Sequence, residues 1–334
     1  MKLIIDSTSG GNGDVWMRLV SFYAIAGIEP KYSFEIIVPP FFKQLAEYSF
    51  GDRLVILTDK QKSNLKFTSL GIRDLIGGIF FGQKYIAPYY RAVIHDKTKT
   101  GFKDKLNAFL FGCFDLLGLI QVPHKKWIKV YQGYLDVIGI KKLRHISYEK
   151  YISQLEKDYT LIYNRLNKDI PVSPELEMPV DLHQNIVIFP TGTSRQFIPV
   201  WWAKENLPNA YYAFFIKDKD VQPFVEAGLK VIYFYKEPGD IIALSHKSKW
   251  TISTDSFPSH LLQYATKNCT ITITEVLKSR IISPVFQGYV VDNQVSCHPC
   301  LHINKSKLCA AGFMECLNWK NKNYTQNILN YTKD

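Results

Sequence analysis

Trp250-Thr251-Ile252-Ser253-Thr254-Asp255-Ser256-Phe257-Pro258-Ser259-His260-Leu261 reads as a short buried strand, a polar turn and the start of a helix. Ser256 is placed to cap that helix, and Pro258 suits its first turn, where a missing N–H costs nothing. Leu261, Leu262 and Ala265 give the helix an apolar face. A helix that begins at the carboxyl end of a strand presents backbone N–H groups and the positive end of a dipole. Such a turn favours a phosphate, so a nucleotide diphosphate handled by this chain is expected to rest here.

The stretch is one member of a series. Ile186–Phe189, Tyr211–Ile216, Val231–Tyr235, Trp250–Ser253 and Thr270–Ile273 read as strands, separated by helical stretches over Val221–Ala227, Asp240–Ser245 and the helix after Asp255. Strands alternating with short helices imply parallel pairing and right-handed crossovers. Upstream, residues 167–185 hold Pro171, Pro174 and Pro179 with no sustained period, which marks a linker.

Before the linker the same alternation runs once already. Leu3-Ile4-Ile5 is a first strand, Ser9–Asp14 a glycine-rich loop, and a helix follows with Val15, Leu19, Phe22, Tyr23 and Ala26 on one face. Phe34–Val38, Leu54–Leu57 and Ala92–Asp96 read as further strands. Ala108–Leu119, Tyr131–Ile138 and Tyr148 to about Leu166 read as helices. The fold class is therefore α/β: two Rossmann-like domains whose mostly parallel sheets face a central cleft, each with its active loops at the strand carboxyl ends. The expected divisions are an N-terminal domain over 1–170, a C-terminal domain over 184–318, and a helix or tail over 319–334.

Composition narrows the function classes. At 334 residues the chain suits two domains, and 46% hydrophobic with 21% charged residues excludes disorder. The formal charge of +11 fits an anionic partner, whether a phosphate-bearing small molecule, an anionic membrane surface or nucleic acid. The lysines are spread rather than gathered and no nucleic-acid motif appears, so no nucleic acid is expected. Met1–Asp6 does not read as a signal peptide, and no apolar stretch reaches the ~18 residues a spanning helix needs. A cytoplasmic location is expected, with the inner face of the membrane as a peripheral one. The six cysteines then read as thiols or metal ligands. Cys297, Cys300, Cys309 and Cys316, with His298 and His302 among them, have respectable zinc spacing. Plain buried thiols are the alternative.

The glycines fit no common phosphate cradle. Gly-Lys-Ser/Thr is absent, and Gly11-x-Gly13 lacks a third glycine in place. Asp14 stands out instead, a carboxylate on a tight turn at the carboxyl edge of a sheet; a helix cap is its bland reading. His95, at a strand end before the basic run Lys97–Lys103, suits an anionic acceptor or is an ordinary loop residue.

Gly13-Asp14, the loop 190–196 and the turn Asp255–His260 together resemble the heptosyltransferase family of bacterial glycosyltransferases, family 9, with GT-B architecture. Those enzymes open with a strand and a Gly-Asp turn. They carry a Pro-Gly-x-Ser-like loop running into a basic residue and a Trp-Pro step, and an Asp-Ser-Gly-Pro-x-His-Leu element. Here the last reads Asp255-Ser256-Phe257-Pro258-Ser259-His260-Leu261, with Phe257 for glycine. The loop reads Thr193-Ser194-Arg195-Gln196-Phe197-Ile198-Pro199, keeping the serine and proline with Arg195 shifted and Ile198 for tryptophan.

The resemblance implies an inverting, metal-independent glycosyltransferase that takes a sugar, such as a heptose, from a nucleotide diphosphate to a lipopolysaccharide or surface-polysaccharide acceptor. It implies no cofactor beyond the nucleotide-sugar substrate. Transfer needs a base for the acceptor hydroxyl and stabilisation of the leaving diphosphate. Asp14 is the expected base. Thr193, Ser194, Arg195, Asp255, Ser256, Ser259 and His260 are the expected donor contacts, His260 packing on the sheet and bonding to backbone being its alternative. Asn12, Gly13, His95 and Lys97 are expected on the acceptor side, an anionic glycolipid or polysaccharide. Two other readings stay open: a nucleotide-sugar or glycan-binding protein that has lost turnover, and a zinc-stabilised nucleic-acid-binding protein.

Overall fold

Lys2–Asp6 forms β1, an apolar strand that ends in a buried carboxylate and is followed by α1 over Asn12–Ile28. From Val15 to Ala26 every residue of α1 is buried, Arg18 and Ser21 included. A helix apolar on all sides is one covered on all sides. The computed structural model describes residues 2–8, 11–59, 65–67, 84–86, 148–192, 197–235, 237–273, 281–292 and 319–332. The strand expected at 92–96 and the helices expected at 108–119 and 131–138 lie outside these residues.

In the first unit, β2 (Ser33–Ile37), α2 (Lys43–Phe50), β3 (Leu54–Leu57), β4 (Leu65–Phe67) and β5 (Lys84–Ile86) complete a parallel sheet in the order β3-β2-β1-β4-β5. Its core is aromatic, with Trp16, Phe22, Tyr23, Phe34 and Phe50 fully buried. Trp16 and Tyr23 pack their rings on Phe50 at 5.1 and 5.4 Å between centroids.

The second unit holds β6 (Ile186–Phe189), α4 (Val200–Asn206), β7 (Tyr211–Phe215), α5 (Gln222–Glu226), β8 (Lys230–Phe234), α6 (Gly239–Lys247), β9 (Trp250–Thr254), α7 (Phe257–Ala265), β10 (Cys269–Ile273), β11 (Tyr289–Asp292) and α8 (Lys322–Asn330). All described pairings are parallel, in the order β11-β10-β9-β6-β7-β8. The central strands are nearly continuous apolar runs because helices cover both faces of a parallel sheet. Val187, Ile188 and Phe189 of β6 are at most 1% exposed.

The chain forms two compact units, Met1–Asp158 and Tyr159–Asp334, that divide between Asp158 and Tyr159. That point lies inside α3, the helix over Tyr148–Leu166. Within the first unit, Tyr151 donates to Ser21 Oγ (3.1 Å) and Asp158 pairs with Arg53 (2.7 Å). Burial lifts the Asp158 pKa above the ordinary carboxylate value, against the pull of Arg53. Within the second, Tyr159 packs on Tyr264 and Asn167 donates to the Ala265 carbonyl (3.0 Å). One amphipathic helix serves two cores, so no change of composition marks the division. The last segment, expected as a helix or tail, holds the helix Lys322–Asn330. Tyr324 and Ile328 of α8 are buried in the second unit's core, and Trp202 Nε1 donates to Thr325 Oγ1 (2.8 Å). Two apolar residues four apart were enough to dock an otherwise polar helix.

The proline-rich stretch after α3 is fastened by a single carboxylate. Asp240, fully buried in the first turn of α6, accepts from Ser173 N–H (2.7 Å) and Tyr235 N–H (2.8 Å). Gly239 lets the Pro171 carbonyl lie directly on the helix start, where a Cβ would collide with it. Asp240→Ala strands two buried donors and is expected to cost about 3 kcal/mol, measured by chemical denaturation of the second unit's transition. Asp240→Asn, which keeps one accepting oxygen, should cost less.

Candidate functional site

A parallel sheet whose strand order reverses leaves a crevice at the reversal, outside the strand carboxyl ends. In the second unit the chain runs β6, β7, β8 in one direction and β9, β10, β11 in the other, so the switch falls between β6 and β9. Their carboxyl-end loops are Pro190–Gly192 and Asp255–Ser256, the two loops the sequence singles out. They touch. A Cβ on Gly192 would stand 2.7 Å from Ser256 Cβ and 3.1 Å from the Asp255 carbonyl oxygen. The Ile198 N–H closes on the Pro190 carbonyl (2.9 Å), and Thr191 Oγ1 donates to Asp218 Oδ2 (2.7 Å) in the loop after β7. Three neighbouring strand ends are thus tied together.

The turn into α7 is closed internally. Ser256 N–H donates to Ser259 Oγ (3.2 Å), and the Ser259 hydroxyl donates to the Ser256 carbonyl (2.8 Å). The Ser256 hydroxyl donates to the Thr254 carbonyl (3.1 Å). Both expected donor-binding hydroxyls therefore spend their protons on the turn itself. Asp255 is 5% exposed, and His260 sits beside it, Nε2 to Oδ1 3.6 Å. His260 is buried, yet among the described residues its Nδ1 has no hydrogen-bond partner, and neither has the Oγ1 of Thr254. From behind, Gln263 donates to the carbonyls of Ser259 (3.2 Å) and Ile281 (3.0 Å) and accepts from Ser283 N–H. This holds the segment that returns from the carboxyl end of β10.

The first unit has the same plan. Its switch falls between β1 and β4, and the loop after β1 leads into Asp14. Asp6 Oδ1 accepts from both the N–H (2.9 Å) and the hydroxyl (2.6 Å) of Thr8. Asp14 is the third residue of α1, and its Oδ2 accepts from Gly11 N–H (3.0 Å), the reach-back of a capping box. Asn12 is exposed and Gly13 buried. Arg18, one turn on and 2% exposed, donates to the Ser7 carbonyl (3.1 Å). Sequence reasoning passed over Arg18 and Asp6. The signal was present: an arginine inside Val15-Trp16-Met17-Arg18-Leu19-Val20 is a buried charge, and buried charges are bonded to something.

Thr193, Ser194, Arg195, His95 and Lys97 lie outside the described residues, as do Cys297, Cys300, Cys309 and Cys316. Among the described residues no group of three or more metal-ligating side chains gathers, and Cys269 is buried, its thiol pKa pushed upward. Among them also, no helix is long and apolar enough to cross a membrane.

Solved structures share this architecture. The chain superposes on E. coli ADP-heptose lipopolysaccharide heptosyltransferase II with a TM-score of 0.52 at 12% identity, covering 98% of this chain and 100% of that one. It matches a family 9 glycosyl transferase from Veillonella parvula DSM 2008 with a TM-score of 0.50 at 13% identity, covering 88% of each chain. No protein-family model matches, and no curated protein matches in sequence. The chain has the GT-B fold of those transferases.

Proposed function

We propose that the protein is an inverting glycosyltransferase, using Asp14 as general base and the loops after β6 and β9 to hold the diphosphate of a nucleotide sugar. The observation that carries the reading is the coincidence of chemistry with topology. The carboxylate turn and the phosphate-favouring helix start each follow a strand at the reversal of its own sheet. Asp14 Oδ2 accepts from Gly11 N–H at the start of α1, which fixes the carboxylate on that turn. The dipole of α7 and Arg195 would stabilise the leaving diphosphate without a metal ion.

The likeness to an ADP-heptose lipopolysaccharide heptosyltransferase supports ADP-heptose as the first donor to test and a lipopolysaccharide precursor as the first acceptor. The basic chain suits an anionic acceptor and peripheral attachment at the inner membrane face. A thermal-shift screen over ADP-, UDP-, GDP- and CMP-linked sugars tests the reading. A donor bound by the native state alone, at a hundred times its Kd, adds about 2.7 kcal/mol of stability. A flat response to every nucleotide sugar would sink it. Phe257 and the inward-turned serine hydroxyls favour a second reading, a nucleotide-sugar-binding protein without turnover. Release of free sugar or transfer to any acceptor separates the two.

A further inference from the structure

α1 carries two charged residues, Asp14 and Arg18, four apart and so one above the other on the same face. Asp14 lies in the first turn, just beyond the carboxyl end of β1. Arg18 is one turn deeper and 2% exposed, in an otherwise apolar stretch. Taking a guanidinium out of water is costly, and an apolar side chain of similar volume in its place is often neutral or stabilising. Stability alone does not account for Arg18. Its contacts do. Nη1 donates to the Ser7 carbonyl (3.1 Å) and to the Ser7 hydroxyl (3.5 Å), and Ser7 is fully buried. The Ser7 N–H in turn donates to the Ile37 carbonyl (2.9 Å) at the end of β2.

Arg18 thus ties the helix to the residue that follows β1, with no part of the glycine-rich loop between them. The carboxylate is held from the other side as well, since Asp14 Oδ2 accepts from Gly11 N–H (3.0 Å). A base works only within hydrogen-bond reach of the proton it takes, and a shift of about 1 Å costs about a hundredfold in rate. We propose that Arg18 is a positioning residue for Asp14: by holding the first turns of α1 to Ser7 it sets where the carboxylate stands above the sheet edge. The inference rests on reading Asp14 as the base and names the group that aims it.

The test is a double-mutant cycle on the full chain, run with whichever ADP-, UDP-, GDP- or CMP-linked sugar the parent transfers to a lipopolysaccharide precursor. Arg18→Met keeps an apolar stem without the hydrogen bonds and should lower kcat about a hundredfold with donor KM unchanged. Arg18→Lys, whose ammonium can still donate to the Ser7 carbonyl, should recover most of that loss. On the Asp14→Asn background Arg18→Met should change the residual rate by less than about twofold, because no base is left to place. A merely structural role would slow both backgrounds by the same factor, and that result overturns the inference. So does a parent-like kcat in Arg18→Met. Arg18→Gln, a shorter donor, serves the cycle if the methionine variant does not fold. Full turnover by Asp14→Asn, or a parent that transfers sugar from none of these donors, overturns the base reading and this inference with it.

Discussion

The Asp14→Asn protein is expected to transfer sugar about a thousandfold more slowly than the parent chain, with donor affinity unchanged. Asparagine is the informative replacement because it separates the proposed base from the helix cap. Asp14 Oδ2 accepts from Gly11 N–H at the start of α1, and an amide oxygen does that nearly as well. What the amide cannot do is take a proton from an acceptor hydroxyl. Asp14→Ala removes both functions and should lose about 1 kcal/mol of stability besides. Comparing the two variants in rate and in denaturation midpoint separates base from cap. Full turnover by the asparagine variant would leave Asp14 a capping residue only, and the base would have to be sought elsewhere.

The fold was legible wherever a strand is a short, apolar, β-branched run closed by a turn signal. Ile186–Phe189 between Asn185 and Pro190 is such a run, and so is Trp250–Thr254 before Asp255. Leu65–Phe67 and Lys84–Ile86 are only three residues each, too short to show a period. Tyr289–Asp292 has one buried residue, Val291, and reads as loop. Val200–Asn206 carries two tryptophans on seven residues, and only one of them, Trp202, enters the core. In such places tertiary packing decides what local propensity leaves open.

The site was legible as a set of loops and not as a set of contacts. Asp14 and Asp255–His260 announce themselves by residue type next to a strand end. The direction in which Ser256 and Ser259 spend their hydroxyl protons has no sequence signal, because it depends on which carbonyls the turn brings within reach. Asp240 looked like an ordinary acidic residue in a first helical turn. Its two backbone partners, Ser173 and Tyr235, lie on segments that only the folded unit brings together.

Gly192→Ala is expected to abolish most donor binding, and the reason is steric. The added methyl would meet Ser256 Cβ at 2.7 Å and the Asp255 carbonyl at 3.1 Å. Ser256 cannot give way, since it is 9% exposed and bonded to Thr254 and Ser259. The movement must come from the 190–192 loop, which Thr191–Asp218 and Ile198–Pro190 hold from either side. Overpacking of this kind costs about 1–3 kcal/mol. It also displaces the start of the loop that carries Thr193, Ser194 and Arg195, so donor affinity should drop by roughly ten- to a hundredfold. Gly228→Ala is the matched control. Gly228 has φ +73° at the entry to the edge strand β8, at the other end of the strands from these loops, with nothing within 4 Å of an added Cβ. A left-handed alanine there costs about 1–2 kcal/mol through the backbone alone and should leave donor affinity intact. If calorimetry finds the two variants equally able to bind a nucleotide sugar, the contact between the β6 and β9 loops has no part in holding the donor.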